Sequence, residues 1–177
     1  MSEAGILPGR SCNGCTECCR ILGIDEIEKP QGAACPHCLN GTGCAIYATR
    51  PGECRDFYCG WLTLPMCDAK WYPAECNMVV FPAPEGTRLS VHVDPARPDA
   101  WRAEPFYSEI KAWARHVAER DFQVLVCIGK HTIAVLPNED VDLGEVELDE
   151  RVIYERVIYE REDGPAGTVL RAKVVKA

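Results

Sequence analysis

Apolar and polar residues alternate regularly in the second half of the chain, whereas the first 76 residues show few runs of clear periodicity. Leu89, Val91 and Val93 alternate with polar side chains, which is the period of a half-buried strand. Other short apolar runs predict further strands, and Gly129-Lys130 between two of them predicts a hairpin turn. The predicted strands cover residues 78–81, 88–94, 122–128, 131–136, 151–160 and 168–175.

A helical period replaces the alternation from about residue 104 to residue 120. Pro105 suits the first turn of such a helix. Four apolar residues share one of its faces at i, i+4, i+7 and i+11: Phe106, Ile110, Trp113 and Val117. The second half of the chain therefore predicts an α+β fold, a small antiparallel sheet with one main helix.

The segment 151–160 is a direct repeat of the five residues Arg-Val-Ile-Tyr-Glu. A period of five fits neither a strand face nor a helix face cleanly, and two copies are too short for a solenoid. We interpret the repeat as a local duplication in an edge strand or hairpin, without functional meaning.

Composition narrows the class of protein. The 177 residues are 47% hydrophobic, so a packed core can form, and the net charge is −8. An acidic chain without a basic stripe argues against nucleic-acid binding. No apolar stretch approaches 18 residues and the first 11 residues do not read as a secretory signal. These features predict a cytoplasmic protein that does not bind membranes.

Cysteine changes this picture. Eleven of the twelve cysteines lie within residues 12–76, a segment that is also rich in glycine and proline. Such a segment buries little apolar surface, and metal–thiolate bonds would supply the missing stability. We expect residues 1–76 to form an irregular, metal-stapled module and residues 77–177 to form the α+β part, packed against it as one compact unit.

The first cysteine motif is Cys12-x-x-Cys15-x-x-Cys18. A tight turn over Cys12–Cys15 would aim two sulfurs at one point, and Gly14 permits the positive φ that such a turn needs. Three thiolates at this spacing can wrap a cubane cluster or contribute to a tetrahedral zinc site. Cys19 directly follows Cys18, and adjacent side chains point apart, so either the two serve different sites or one of them is not a ligand.

A second group of cysteines follows, with positive side chains beside it. Arg50 and Arg55 would offset sulfur charge and lower thiol pKa values. His37 lies between two cysteines and can replace a thiolate. The cysteines of this group are Cys35, Cys38, Cys44, Cys54 and Cys59.

The pattern from Cys12 to Cys59 resembles the CxxCxxCC family of cysteine-cluster proteins, which are described as zinc- or iron-chelating. The specific block is Cys44-x-Ile46-Tyr47-x2-Arg50-Pro51-x2-Cys54-Arg55-x-Phe57-x-Cys59, and the match covers about a third of the chain. The resemblance implies zinc or iron as the metal, with a 4Fe–4S cluster as one form. It implies this ligand set: Cys12, Cys15, Cys18, Cys19, Cys35, Cys44, Cys54 and Cys59.

One position departs from the family pattern. Cys38 stands where an apolar residue is usual, so it is an extra ligand, an exchange partner or a buried thiol. Some relatives carry this module within flagellin lysine methylases, but nothing in residues 77–177 resembles a methyl-donor site. We therefore do not transfer that activity.

Three functions remain open. The first is storage, delivery or sensing of a metal ion, with a protein client as a further partner. The second is a cluster-dependent redox or modifying enzyme, although no known catalytic motif supports it. The third is an interaction module in which zinc is only structural. Structural disulfides in an exported protein are a further alternative to metal.

Three cysteines lie outside the expected ligand set. Cys67 and Cys76 are expected to be buried thiols at least as much as ligands. Cys127, inside an apolar strand, is expected in the core.

Overall fold

The computed structural model describes residues 5–12, 14–120, 122–147, 150–161 and 164–176. The helices are α1 (Glu17–Ile21), α2 (Gly52–Asp56), α3 (Gly60–Thr63), α4 (Pro73–Cys76) and α5 (Phe106–Val117). Single 3-10 turns cover Asp25–Ile27, Tyr47–Thr49, Ala69–Trp71 and Ala100–Arg102.

The strands form one five-stranded sheet and two hairpins. Their bounds are β1 Cys38–Leu39, β2 Gly43–Cys44, β3 Met78–Pro82, β4 Arg88–Val93, β5 Gln123–Ile128, β6 His131–Val135, β7 Asp140–Glu145, β8 Glu150–Arg161 and β9 Gly164–Lys176. The sheet has the order β3-β4-β5-β6-β7, and β1 pairs with β2 and β8 with β9. The six predicted strands correspond to β3, β4, β5, β6, β8 and β9, and the turn at Gly129-Lys130 and the long helix α5 are also present. The sequence did not predict β1, β2 or β7. The five-residue repeat lies in β8.

The sheet is mixed, so the prediction of an antiparallel sheet is wrong. β4 and β5 pair in parallel, with Val91 opposite Val126, while the other neighbouring strands are antiparallel. The connection between β4 and β5 contains α5, and such a crossover returns the chain in the same direction. The local pattern of either strand does not contain this information.

One face of the sheet packs against α5. Ile110 is fully buried there and joins Val91 and Val126 in one apolar cluster. Trp71 and Cys76, from the cysteine-rich segment, belong to the same cluster. The proposed division near residue 76 stays a prediction.

The opposite face of the sheet is covered by two different structures. Over β5 and β6, Val152 of β8 packs on Leu125 and Ala134. Over β3 and β4, Val79 and His92, which are paired across the two strands, line a cavity. β4 is therefore buried on both faces, in contrast to the half-buried strand that its alternation predicts.

No helix in the described part of the chain has the length and apolar character needed to cross a membrane.

Candidate metal centre

A cavity of about 1340 Å³ lies between the cysteine-rich segment and the β3–β4 end of the sheet. Its lining includes all eight cysteines of the expected ligand set, namely Cys12, Cys15, Cys18, Cys19, Cys35, Cys44, Cys54 and Cys59. The other four cysteines, which the structure also describes, lie outside this lining. The fold thus brings together thiols that are up to 47 positions apart in the sequence.

The first two thiols share one tight turn. The amide of Cys15 donates to the carbonyl of Cys12 over 2.7 Å. Gly14 has a φ of +79°, and a Cβ built there would lie 3.2 Å from the carbonyl oxygen of Gly41. Both observations explain glycine at this position, since the backbone conformation and the close approach each disfavour a side chain.

Helix α1 carries the adjacent pair Cys18 and Cys19. The amide of Leu22 donates to the carbonyl of Cys18 over 3.1 Å and ends the helix. A thiol–thiol hydrogen bond joins the two cysteines; it raises the pKa of Cys18 and lowers that of Cys19. Cys19 is therefore the thiol of this pair that ionises first.

Cys35 and Cys44 are positioned around the short β1–β2 hairpin. The amide of Cys35 donates to the carbonyl of Cys19 over 2.8 Å, which ties this segment to α1. In the hairpin, Cys44 is paired with Cys38, and the amide of Cys38 donates to the carbonyl of Cys35 over 3.1 Å.

Cys54 and Cys59 come from the next two helical segments. Cys54 lies in α2, where the carboxylate of Glu53 accepts from the amides of Asp25 and Glu26, each over 3.1 Å. Cys59 directly precedes α3, and its carbonyl accepts from the amide of Leu62 over 2.9 Å. Hydrogen bonds thus fix the backbone on which both thiols are carried.

Tyr72 connects Cys12 to the α3 region. Its hydroxyl donates to the carbonyl of Cys12 over 3.0 Å, and its ring centroid lies 4.9 Å from that of Trp61. Arg10 adds a second connection, because its guanidinium donates to the carbonyls of Trp61 and Cys67.

The cavity has a positive electrostatic environment within an acidic chain. Its charged lining residues are three arginines and one glutamate: Arg10, Arg50, Arg55 and Glu53. Desolvation raises the pKa of Cys12, and the guanidinium of Arg50 opposes this rise. Arg50 also lies over the ring of Tyr47, 3.8 Å from its centroid.

Lys29 is a buried cation beside the thiols. It is 5% exposed, and its ammonium group donates to the carbonyl of Leu22. Desolvation lowers the pKa of Lys29, whereas negative charge on Cys35 and Cys19 raises it. A cation held in this position compensates thiolate charge at short range.

Burial makes most of the thiols harder to ionise. It raises the pKa of Cys15 to about 11, and it raises those of Cys54 and Cys59 as well. A bound cation would reverse this effect, because a metal ion stabilises the thiolate form.

None of the twelve cysteines, all of which the structure describes, forms a disulfide. Across the described residues, no group of three or more histidine, cysteine, aspartate or glutamate side chains is gathered closely enough to hold a metal ion. The donor type fits zinc and iron–sulfur clusters, since thiolates select these over magnesium or calcium. Binding would require the thiols to turn towards a common ion.

The remaining sequence expectations have mixed outcomes. Cys67 and Cys76 are buried thiols, and burial raises the pKa of each to about 12. Cys127 is partly buried and packs on the cluster beneath β8. His37 lines the cavity, whereas Cys38 does not, although its thiol is hydrogen-bonded to Cys19.

Sequence reasoning missed three residues around the cavity: Lys29, Tyr72 and His92. His92 lies in β4, is buried, stacks on Phe81 and contacts the side-chain amide of Gln31 over 3.1 Å. No local pattern marks these residues, because the contacts join segments up to 61 positions apart.

Comparison with protein-family models, curated proteins and solved structures finds no match to this chain. The resemblance to the CxxCxxCC family therefore rests on the cysteine motif alone.

Proposed function

We propose that this chain binds zinc or iron through the eight cysteines of the cavity, and that it stores, delivers or senses the metal. The observation that carries the proposal is the selective lining of one cavity. The eight thiols named by the motif line it, and the other four cysteines do not. If cysteine served only as a small apolar residue in this chain, we would not expect the motif cysteines alone to line one cavity.

The chemistry of the surroundings supports metal rather than disulfides. A divalent ion with four thiolates carries a net charge of about −2. Arg50 beside Cys12 and Lys29 beside Cys19 would offset such a charge, and disulfides would need no cation. The metal itself would supply the cross-links that hold together a segment of short helices and turns.

The exposure of the cavity cysteines to solvent favours exchange of the bound metal over a purely structural role for it. Cys12 is exposed and six of the other seven cavity cysteines are partly exposed, so an incoming chelator or client thiol can reach them. Closed structural zinc sites use four ligands without an open position. Transfer of metal to a protein client requires accessible thiols.

The test is metal analysis of protein purified without oxygen. We expect bound zinc or iron in the wild type, with visible absorption if the metal is an iron–sulfur cluster. Cys15→Ser should lower the metal content. Cys127→Ser is the control, because Cys127 lies in β5 outside the cavity lining and packs beneath β8. Equal metal content in the wild type and Cys15→Ser would contradict the proposal.

A second measurement separates exchange from a static role. Bound metal should transfer to an excess of chelator within minutes if the chain delivers or senses metal. Retention of the metal for hours would instead identify a structural site.

A further inference from the structure

The mouth of the cavity carries an aromatic ring, two guanidinium groups and a thiol. Residues that line the cavity and are also exposed to solvent mark this mouth, and they include Cys12, Tyr47 and Arg55. Arg50, which is partly exposed, belongs to the same lining. We define the mouth surface as Tyr47, Arg50 and Arg55. The metal-binding proposal gives no role to Tyr47 or to the charge of Arg55.

Tyr47 and Arg50 form a preformed contact point on this surface. Tyr47 is 65% exposed, so its ring is available to a partner. The guanidinium carbon of Arg50 lies 3.8 Å from the centroid of that ring, and its Nη1 donates to the carbonyl of Tyr47 over 2.9 Å. The stack and the hydrogen bond fix both side chains before a partner arrives, which lowers the entropy cost of docking. Tyrosine and arginine are among the residues that dominate binding energy at protein interfaces.

The two arginines of the mouth surface have charge to offer a partner. In the described part of the chain, no carboxylate lies within ion-pair distance of Arg50 or Arg55. Glu53, the acidic residue of the cavity lining, accepts backbone amides with both of its carboxylate oxygens. The fork of N–H donors on a guanidinium matches the geometry of a carboxylate. The mouth surface therefore complements a partner that presents carboxylates.

The net charge of the chain makes this complementarity selective. At −8, most of the chain repels an acidic partner, so attraction is confined to a local positive surface. Complementary charge of this kind orients a partner as it approaches and excludes other orientations. An acidic segment that docks on the mouth surface would thus be directed to the opening of the cavity, where the thiol of Cys12 is exposed.

The size and composition of the surface favour a protein over other anionic partners. Recognition of anionic lipids uses clusters of about 4–8 basic residues, and nucleic acids require a basic stripe. Two arginines beside an exposed tyrosine provide neither. They do provide the aromatic and charged contacts of a small protein-binding site.

We propose that Tyr47, Arg50 and Arg55 form a docking surface for an acidic segment of the protein client with which the cavity exchanges metal. The ring of Tyr47 provides the apolar contact, and the two guanidinium groups bind carboxylates of the segment. This inference rests on the proposed function for the identity of the client, whereas the docking itself requires no metal.

The test measures binding of a short synthetic peptide of glutamate and leucine residues. The matched peptide has glutamine in place of every glutamate. Each peptide carries a rhodamine label, and fluorescence anisotropy reports its binding to the full-length, reduced protein at low and at physiological salt. The metal content of the same protein sample is measured in parallel.

We expect the glutamate peptide to bind about tenfold more tightly than the glutamine peptide at low salt, a value typical of two exposed charge pairs. This preference should decrease at physiological salt, because salt screens exposed charges. Arg50→Gln/Arg55→Gln should abolish the preference. Tyr47→Ala should weaken binding of both peptides about fivefold, since it removes the apolar contact and the stack that holds Arg50.

Arg115→Gln/Arg120→Gln is the matched control. It removes two exposed arginines at the same sequence spacing, outside the cavity lining, and changes the net charge equally. It should keep the preference for the glutamate peptide. Far-UV circular dichroism checks that every variant retains the fold, which substitutions of solvent-accessible side chains should preserve.

Other outcomes overturn the inference in distinguishable ways. If the wild type shows no preference for the glutamate peptide, the docking surface is wrong, and bound metal in the same sample leaves the proposed function standing. If both double variants lose the preference equally, overall charge is the cause and the mouth surface is not the docking site. If the preference depends on Arg50 and Arg55 but the protein binds no metal, the docking surface stands and the proposed function fails.

Discussion

The backbone amide of Cys35 donates a 2.8 Å hydrogen bond to the carbonyl of Cys19. This bond joins the start of the β1–β2 hairpin to α1 across 16 positions of sequence. It anchors the hairpin that carries Cys44 to the helix that carries Cys18 and Cys19. Backbone hydrogen bonding therefore positions Cys35 beside Cys19 without a metal.

Lys29 should support metal binding by the cavity thiols. Lys29→Met keeps most of the apolar stem but removes the buried charge that compensates Cys19. We expect Co²⁺ to bind the protein about 10–100-fold more weakly, the range typical of groups that surround metal ligands. The affinity is measured by anaerobic titration of the reduced, metal-free protein with Co²⁺.

The control for this variant is Lys173→Met, which removes an exposed lysine paired with Glu155 on the β8–β9 hairpin. It should leave Co²⁺ affinity unchanged. Equal weakening by both variants would assign the effect to overall charge rather than to Lys29.

Gly60 should be intolerant of a side chain. A Cβ at this position would lie 2.9 Å from the carbonyl oxygen of Val80 and 3.3 Å from the sulfur of Cys67. Gly60→Ala should therefore push α3 away from β3 and lower the free energy of unfolding by about 1–3 kcal/mol. Urea denaturation measures this loss, and Cys59, one residue away, should bind metal less well in the same variant.

Gly23→Ala is the matched control for Gly60→Ala, since its Cβ would meet its nearest neighbour at 3.5 Å, an ordinary contact. Its unfolding free energy should stay within about 0.5 kcal/mol of the wild type. A comparable loss in both variants would show that the close approach of α3 to β3 is not the cause.

His92 should make folding less stable in acid. Burial, assisted by the charge of Arg88, lowers its pKa from 6.5 to about 4. Between these values the unfolded chain takes up a proton that the folded chain does not, so stability falls as the pH falls through this window. The loss contributed by His92 is at most about 3 kcal/mol when the window has been crossed.

The measurement is the free energy of unfolding at several pH values from 7 to 4. His92→Leu should show a shallower dependence than the wild type over this range. His116→Leu, which changes an exposed histidine on α5, should keep the wild-type dependence. Identical slopes for the wild type and His92→Leu would refute a role for His92.

Tyr154 should stabilise the packing of β8 on the sheet. Its hydroxyl donates to the carbonyl of Val124 over 2.9 Å. Tyr154→Phe should lower the free energy of unfolding by about 1 kcal/mol, the typical net value of such a bond. Tyr47→Phe, in which the side chain is 65% exposed, should change stability little, and an equal loss in both would contradict the prediction.

Part of the fold could be predicted from the sequence because the relevant forces are local. The alternation around Val91 and the spacing of Ile110 on α5 reflect which side chains face the core, and the structure has both elements there. The parallel pairing of β4 with β5 could not be predicted in this way, because it depends on the path of the chain through α5.

The candidate site, like the fold, could be predicted from the sequence only in part. The sequence by itself determined which thiols the chain offers as donors, since the motif from Cys12 to Cys59 names eight expected ligands and leaves Cys38 and His37 as further candidates. The tertiary structure decided which groups surround them, because it brings Tyr72 and His92 into the cavity lining and Lys29 beside Cys19. A linear pattern does not specify these neighbours, since only the folding of the chain brings their segments together.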